Sequence, residues 1–312
     1  MRRDRPSICV VGSSNVDLIA RVPRLPHLGE TLVGRSFHLG YGGKGANQAV
    51  TAARLGAQVT MVAKVGRDVF GDGAARNFRA EGIDTTHVLI DEQRFTGVAP
   101  ILVDDSAQNV IVVVPGANQG LGPAEVRRAS PAILAADAVV GQLEVPVETT
   151  LEAFRIARAG AVRTILNPAP AATGLDPLLG LADLCVPNES EAEQLTGHPV
   201  TSRAEAEVAA RALLGRGARA VIVTLGADGA LVVDHDGAEH IPALRVAAVD
   251  PTGAGDAFIG SLAVFLAEGL ALRVAARRAN AVAALSVTRI GAQESFPTRA
   301  QLQAFLAERG VP

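Results

Sequence analysis

The chain has 312 residues, 48% of them hydrophobic and 20% charged, enough apolar material for one large α/β domain or two smaller ones. A net charge of −3, no Trp and a single Tyr provide neither a basic surface nor an aromatic stacking platform, so nucleic acid and anionic membrane are excluded as expected partners. Two cysteines, Cys9 and Cys185, fit a reducing compartment; the six histidines show no paired ligand spacing, so no disulfide framework or transition-metal site is predicted.

The start, MRRDRPS, is basic, but the apolar run behind it (Ile8 to Val11) is too short for a signal peptide. No stretch approaches the ~20 apolar residues of a membrane span, and the expected location is cytoplasmic. ICVVG (8–12) predicts a first buried strand. GSSNVDL (12–18) places Asn15 and Asp17 beyond its carboxyl end, where open α/β sheets bind ligands; both residue types serve equally well in a plain turn. From 18 to 40, apolar and polar residues alternate around Pro23 and Pro26, which suits a small secondary sheet rather than a central strand.

Gly40-x-Gly42-x-x-Gly45 matches the dinucleotide-binding fingerprint in its letters but not in its place. The first strand has already ended near Gly12, and no acidic residue stands ~20 positions further on. The Walker A spacing fails as well. What remains is a glycine-rich turn entering a helix (46–56), with a cation, Lys44, and an amide, Asn47, that suit the hydroxyls of a polyol. VTMVAKVG (59–66) reads as the next buried strand, and TGVAPILVDDSAQNVIVVVPG (96–116) as a hairpin turning at DDSAQ. The segments 18–40 and 96–116 together suggest a lid or an oligomer interface.

AVVGQ (138–142), TILNP (164–168), LCVPN (184–188) and AVIVTLG (220–226) continue the buried strands, with helices predicted over 147–160 and 203–217 between them. This alternation implies right-handed βαβ units and a mostly parallel sheet covered on both faces. No linker or repeat interrupts it, so residues 1–312 read as a single domain. Glu144 and Asn188 close two of these strands. Asn188 with Glu191 matches a capping box, and the same pair could hold the water shell of Mg²⁺. Thr224 and Gly226 end another strand before Asp228-Gly229, which is either a tight hairpin turn or a nucleotide-holding loop.

VDPTGAGDAF (249–258) is a glycine-rich turn that brings an aspartate where phosphate loops usually bring a lysine. If a helix starts at Gly253 to Asp256, its N–H groups and dipole offer an anion site with no lysine. Asp256 would then accept the proton of an attacking hydroxyl while the amides take up charge on a transferred phosphoryl group. The plainer alternative is a helix cap. Alanine-rich helices are predicted over 255–268 and 272–287.

On GGKGANQA (42–49), DPTGAGDAF (250–258), QLEVP (142–146), NPAPA (167–171), PNESEAE (187–193) and TRIGAQESFP (288–297), the chain resembles the PfkB carbohydrate kinases from end to end. Lys44, NPAPA and GAQ favour the ribose-phosphorylating members over fructokinase-like and nucleoside-kinase ones. The resemblance implies a ribokinase-like α/β fold with a β-sheet lid and ATP-dependent transfer to O5 of D-ribose. Asp256 would be the general base, beside an anion hole formed by Gly253, Ala254 and Gly255. Asn15, Asp17, Gly43, Lys44, Asn47, Glu144 and Asp256 would bind the sugar. Asn188, Thr224, Gly226, Asp228, Gly229, Gly255 and Asn280 would line the ATP site, with Glu191 helping to organise Mg²⁺ through water. Asp250, Thr252, Ser286, Arg289, Gly291 and Ser295 would hold potassium, several through backbone carbonyls, and the lid would make a homodimer contact. Pro251 stands where the family often has threonine, removing an N–H and fixing φ beside the cation loop. Ile259 and Ser261 are also less usual there and read as packing variation. The remaining alternatives are a kinase for another sugar or a nucleoside, and a catalytically silent sugar or nucleotide sensor.

Overall fold

The computed structural model describes residues 5–106 and 108–310. The basic start MRRD and Ala107 of the DDSAQ turn lie outside them. Among the described residues thirteen strands follow in chain order: β1 (Ser7–Val11), β2 (Asn15–Arg21), β3 (Ser36–Gly42), β4 (Gln58–Gly66), β5 (Asp84–Asp91), β6 (Gly97–Val103) and β7 (Asn109–Ile111), then β8 (Ala138–Gly141), β9 (Arg163–Leu166), β10 (Leu184–Cys185), β11 (Val221–Thr224), β12 (Ala230–Asp234) and β13 (Gly237–Ile241). Nine form one sheet in the order β13-β12-β11-β10-β9-β8-β1-β4-β5, parallel from β11 to β5 and antiparallel at β12 and β13. The other four form a second sheet in the order β3-β2-β6-β7.

Burial on both faces explains why the central strands read as continuous apolar runs rather than alternating ones. In β1, Ile8 and Val10 pack into one core with the helices Lys44–Arg54, Ala254–Ala267 and Leu272–Ser286. Cys9 and Val11, pointing the other way, pack with the helices Val147–Ala159 and Arg203–Gly215. Burial pushes the Cys9 thiol up to about 12, and Cys185 is raised by the same cause. Among the described residues no helix is long and apolar enough to cross a membrane.

The expected secondary sheet is present but begins earlier than its alternation suggests. Asn15 and Asp17 lie within β2, paired with Gly42 and Gly40 of β3, rather than in a turn. The hairpin at 96–116 is β6 and β7, and β6 also pairs in parallel with β2. LCVPN gives strand only at Leu184–Cys185, because Pro187 has no N–H for the ladder; its carbonyl instead accepts from Thr224 N, 3.0 Å. The Asp228-Gly229 turn joins antiparallel β11 and β12, so the hairpin alternative describes its backbone.

Candidate active site

Asp256 sits in the first turn of the helix Ala254–Ala267, whose N-cap, Gly253, adopts φ 76°. A Cβ at Gly253 would lie 2.9 Å from the Phe296 ring, so glycine is required both by the left-handed backbone and by the close approach. Pro251 O accepts from Ala254 N at 3.1 Å, which spends one of the three expected anion-hole donors inside the turn. The N–H groups of Gly253 and Gly255 make no backbone hydrogen bond among the described residues. At this helix end they are the donors left to meet an anion.

Asp256 is 8% exposed, and each of its carboxylate oxygens receives a side-chain amide. Asn47 Nδ2 donates to Oδ2 at 2.9 Å and Gln48 Nε2 to Oδ1 at 3.0 Å. Both amides come from the helix Lys44–Arg54, which crosses the Asp256 helix at Gly260. A Cβ on Gly260 would stand 2.5 Å from Gln48 O, so the missing side chain is what lets the two helices meet. Burial raises the Asp256 pKa and Glu144 adds to it, outweighing the Lys44 charge and the two amide donors. Lys44 itself is held above its ordinary value: desolvation works to lower it, but Asp256, Glu144 and Glu191 prevail.

Three clefts meet at this point. The first, about 190 Å³, is lined by Lys44, Glu191, Asp256 and the Gly253–Gly255 turn. A second, about 530 Å³, opens on the small-sheet side and shares Lys44, with Asn15, Asn118 and Glu144 in its walls. Glu144 is fixed there by the Ser13 hydroxyl (2.5 Å) and by Lys44 N (2.9 Å). Asn118 Nδ2 donates to Asn15 Oδ1 at 2.7 Å. Asp17 is raised to about 6 by burial first and then by Glu144, Glu294 and Asp256. Gly43, at φ 89°, caps the helix so close to the chain that a Cβ would lie 2.7 Å from Asn15 N.

The third cleft, about 450 Å³, lies on the other side, sharing Asn188, Thr224, Ala254 and Gly255 with the first. Gly226, Gly229 and Asn280 also line it, and Asn280 is oriented by Ile241 O at 3.1 Å. Asn188 and Glu191 form the capping box in full, with bonds of 2.8 and 2.9 Å. Glu191 nonetheless lines the first cleft, its pKa raised by burial against the pull of Asn188 N–H and Lys44. Capping and a place in the site are therefore compatible.

Asp228 departs from expectation. Its carboxylate is exposed and taken by Arg203, with His240 3.6 Å away, and it is absent from the lining of the third cleft. Ile259, expected as packing variation, lines the first cleft, whereas Ser261 is buried with its hydroxyl on Phe258 O. The residues expected around potassium converge on two adjoining loops. Asp250 accepts from Thr252 N and Gly291 N, both at 2.9 Å, while Val249 N and Asp250 N donate to Val287 O. The hydroxyls of Ser286 and Ser295 donate to Ala283 O and Ala292 O, at 2.9 and 2.8 Å. Arg289 is exposed. Burial works to raise Asp250, but the bonds from Thr252 and Gly291 hold its pKa below the ordinary value. Gln48, Asn118, Gln142, Asn167 and Gln293 were not anticipated. A glutamine at position 48, among Ala46, Ala49, Val50 and Ala52 on a buried helix, is the signal that was available.

The family described as pfkB family carbohydrate kinase matches residues 5–299. A protein named ribokinase from Mus musculus is 43% identical over 301 residues, covering 95% of this chain and 93% of the relative. One named deoxyribokinase from Salmonella typhimurium is 42% identical over 301 residues, covering 96% and 98%. The structure of Arabidopsis thaliana ribokinase complexed with ribose and ATP superposes with a TM-score of 0.89 at 30% identity, covering 97% of this chain and 99% of that one. With Asp256 at a glycine-capped helix start between two larger clefts, and with this coverage, the chain belongs to the pfkB family of carbohydrate kinases.

Proposed function

We propose that this protein transfers the γ-phosphoryl group of ATP to O5 of D-ribose, giving D-ribose 5-phosphate and ADP. The observation that carries this reading is the position of Asp256, buried in the first cleft, which shares Lys44 with the small-sheet cleft and Asn188, Thr224, Ala254 and Gly255 with the Asn280 cleft. The sugar occupies the cleft of Asn15, Lys44 and Glu144, with Asp17, Gly43 and Asn47 completing its polar surround. The nucleotide lies along Asn188, Thr224, Gly226, Gly229 and Asn280. Asp228 contributes through its place in the turn rather than through its carboxylate.

Asp256 accepts the proton of the attacking hydroxyl, and its raised pKa makes it a better acceptor than an ordinary aspartate. Gly253 and Gly255 N–H groups take up charge on the transferred phosphoryl group, with Lys44 beside them. Glu191 lines the same cleft as Lys44 and the Gly253–Gly255 turn, and its carboxylate suits a hydrated divalent cation held through water. Mg²⁺ there would neutralise phosphate charge. The carboxylate of Asp250 and the carbonyls of the 249–252 and 286–295 loops are hard oxygen donors of the kind potassium takes, and Pro251 keeps its carbonyl within that turn. The small sheet, with Phe37, Leu39, Val110 and Ile111 exposed, serves as the lid and as a homodimer contact.

A second reading, 2-deoxyribose as acceptor, is favoured by the deoxyribokinase relatives at 42% identity. ADP release from MgATP is the test, run with D-ribose, 2-deoxyribose, fructose and adenosine, each in potassium or sodium. Ribose turnover stimulated by potassium supports the proposal. Preference for 2-deoxyribose replaces the substrate, and no ADP with any acceptor favours a silent binding protein.

A further inference from the structure

Asp256 works as a base only while its carboxylate is ionised and aimed. Resting on the function proposed above, we propose that Gln48 and Gln142 form a directional amide relay that holds it so. Gln48 and Gln142 are fully buried, and neither lines the three clefts, so both act through Asp256 as positioning residues.

The direction of the relay follows from the chemistry of its end. An ionised carboxylate only accepts, so Gln48 must turn Nε2 toward Asp256 Oδ1, 3.0 Å away. Gln48 Oε1 then points back and meets a donor, Gln142 Nε2, at 2.6 Å. That leaves Gln142 Oε1 at the far end, buried and without a partner among the described residues. It lies beside Gly12, where a Cβ would stand 1.9 Å from it. Reversing Gln142 alone would set two oxygens against each other. Reversing both amides would present an oxygen to the carboxylate of Asp256. The unsatisfied acceptor is therefore the cost of keeping a donor on the base.

Both amides are anchored from outside the pair. Gln48 Nε2 also reaches Asn167 Oδ1 at 3.1 Å, and Asn167 Nδ2 donates to Val186 O at 3.2 Å. The backbone carbonyl of Gln142 accepts from Thr150 Oγ1 at 2.8 Å. The second oxygen of Asp256 has a shorter support of the same kind, since Gln293 Nε2 donates to Asn47 Oδ1 at 3.2 Å. The charged groups facing Asp256 are Lys44 on the crossing helix, Glu144 after β8, Asp17 on β2 and Glu191 on the helix Glu189–Thr196. Among the described residues no side chain of the four is hydrogen-bonded to the side chain of either glutamine.

The test uses Gln48→Met and Gln142→Met, which remove the amide and keep most of the volume. The Asp256 carboxyl is followed by carbon-13 NMR titration, assigned by its loss in Asp256→Asn, and kcat is followed against pH with MgATP and D-ribose. Losing a donor to the carboxylate destabilises its ionised form. The Asp256 midpoint and the acidic limb of kcat should then move to higher pH, by about one unit in Gln48→Met and less in Gln142→Met. At neutral pH, kcat should fall about 10-fold or more in Gln48→Met while the KM for ATP stays unchanged. A merely structural role would lower the thermal midpoint and leave the titration where it is. If Gln48→Met does not fold, Gln142→Met decides alone. An Asp256 midpoint unmoved in the folded variants overturns the relay, whatever the activity. Wild-type protein that phosphorylates no sugar contradicts the proposed function instead, and the NMR titration still judges the relay.

Discussion

Asp250 and Asp256 stand six positions apart in one glycine-rich stretch, yet their surroundings pull them in opposite directions. Asp250 joins two loops at the surface, where bonds from Thr252 and Gly291 favour its ionised form and lower its pKa. Asp256 lies under a helix crossing and meets side-chain amides rather than backbone donors; burial first, and then the charge of Glu144, raise its pKa. The difference teaches how one residue type serves two ends. A carboxylate fixed by backbone N–H groups at a loop junction is a structural anion, whereas one buried among like charges is ready to accept a proton.

The largest effect should come from the buried member. Asp256→Asn is predicted to reduce kcat by roughly 10²–10⁴-fold, the range of a lost general base, with ATP affinity nearly intact. Steady-state kinetics with ATP titration calorimetry checks this, and near-normal turnover would remove the base assignment. Lys44→Ala follows. It is predicted to raise the sugar KM about 10-fold or more, one lost charged contact at ~1.4 kcal/mol per decade, with less effect on the KM for ATP. It should also move the acidic limb of the rate profile upward, because the Lys44 charge helps to keep Asp256 ionised. A larger effect on ATP would place Lys44 on the phosphate side.

Asp250→Asn should do the reverse of a base mutation, leaving the acidic limb in place while reducing the response to potassium. Its lowered pKa stabilises the fold above the unfolded carboxyl range and ceases to do so as pH falls through the folded value. The urea midpoint of the variant should accordingly fall at pH 7 and converge with wild type in acid. Asp17→Asn is the smallest and has the opposite sign. With Asp17 raised to about 6, the folded state binds the extra proton between about pH 4 and 6 and loses stability as pH rises through that window. The variant should unfold at higher urea than wild type at pH 8, match it near pH 4, and bind sugar less well. Equal midpoints at both pH values would mean that Asp17 carries no buried charge.

The difference between the two aspartates was only half legible in the sequence. Gly253, Gly255 and the apolar run after Asp256 announce a helix start, and the alanine-rich helices were found within about a residue of Ala254–Ala267 and Leu272–Ser286 because their composition is uniform and strongly helical. The amides that hold Asp256 come from more than 200 residues away, and no local pattern reports such a contact. The partner of Asp228 is hidden in the sequence for a related reason. An Asp-Gly turn reads the same whether its carboxylate faces a ligand or an arginine, and Arg203 lies 25 residues upstream. Asn15 and Asp17 do lie beyond the end of β1, but in β2 rather than in a turn, since the connection between the two strands spans only Gly12 to Ser14.

The most direct test of the account is ADP release from MgATP and D-ribose by wild-type protein and Asp256→Asn side by side, across pH. The account predicts ribose-dependent release by wild type that declines below an acidic limb, and a loss of at least about 100-fold in the variant on the plateau above that limb, narrowing as pH falls below it. Ribose-dependent release at similar rates from both proteins would contradict it.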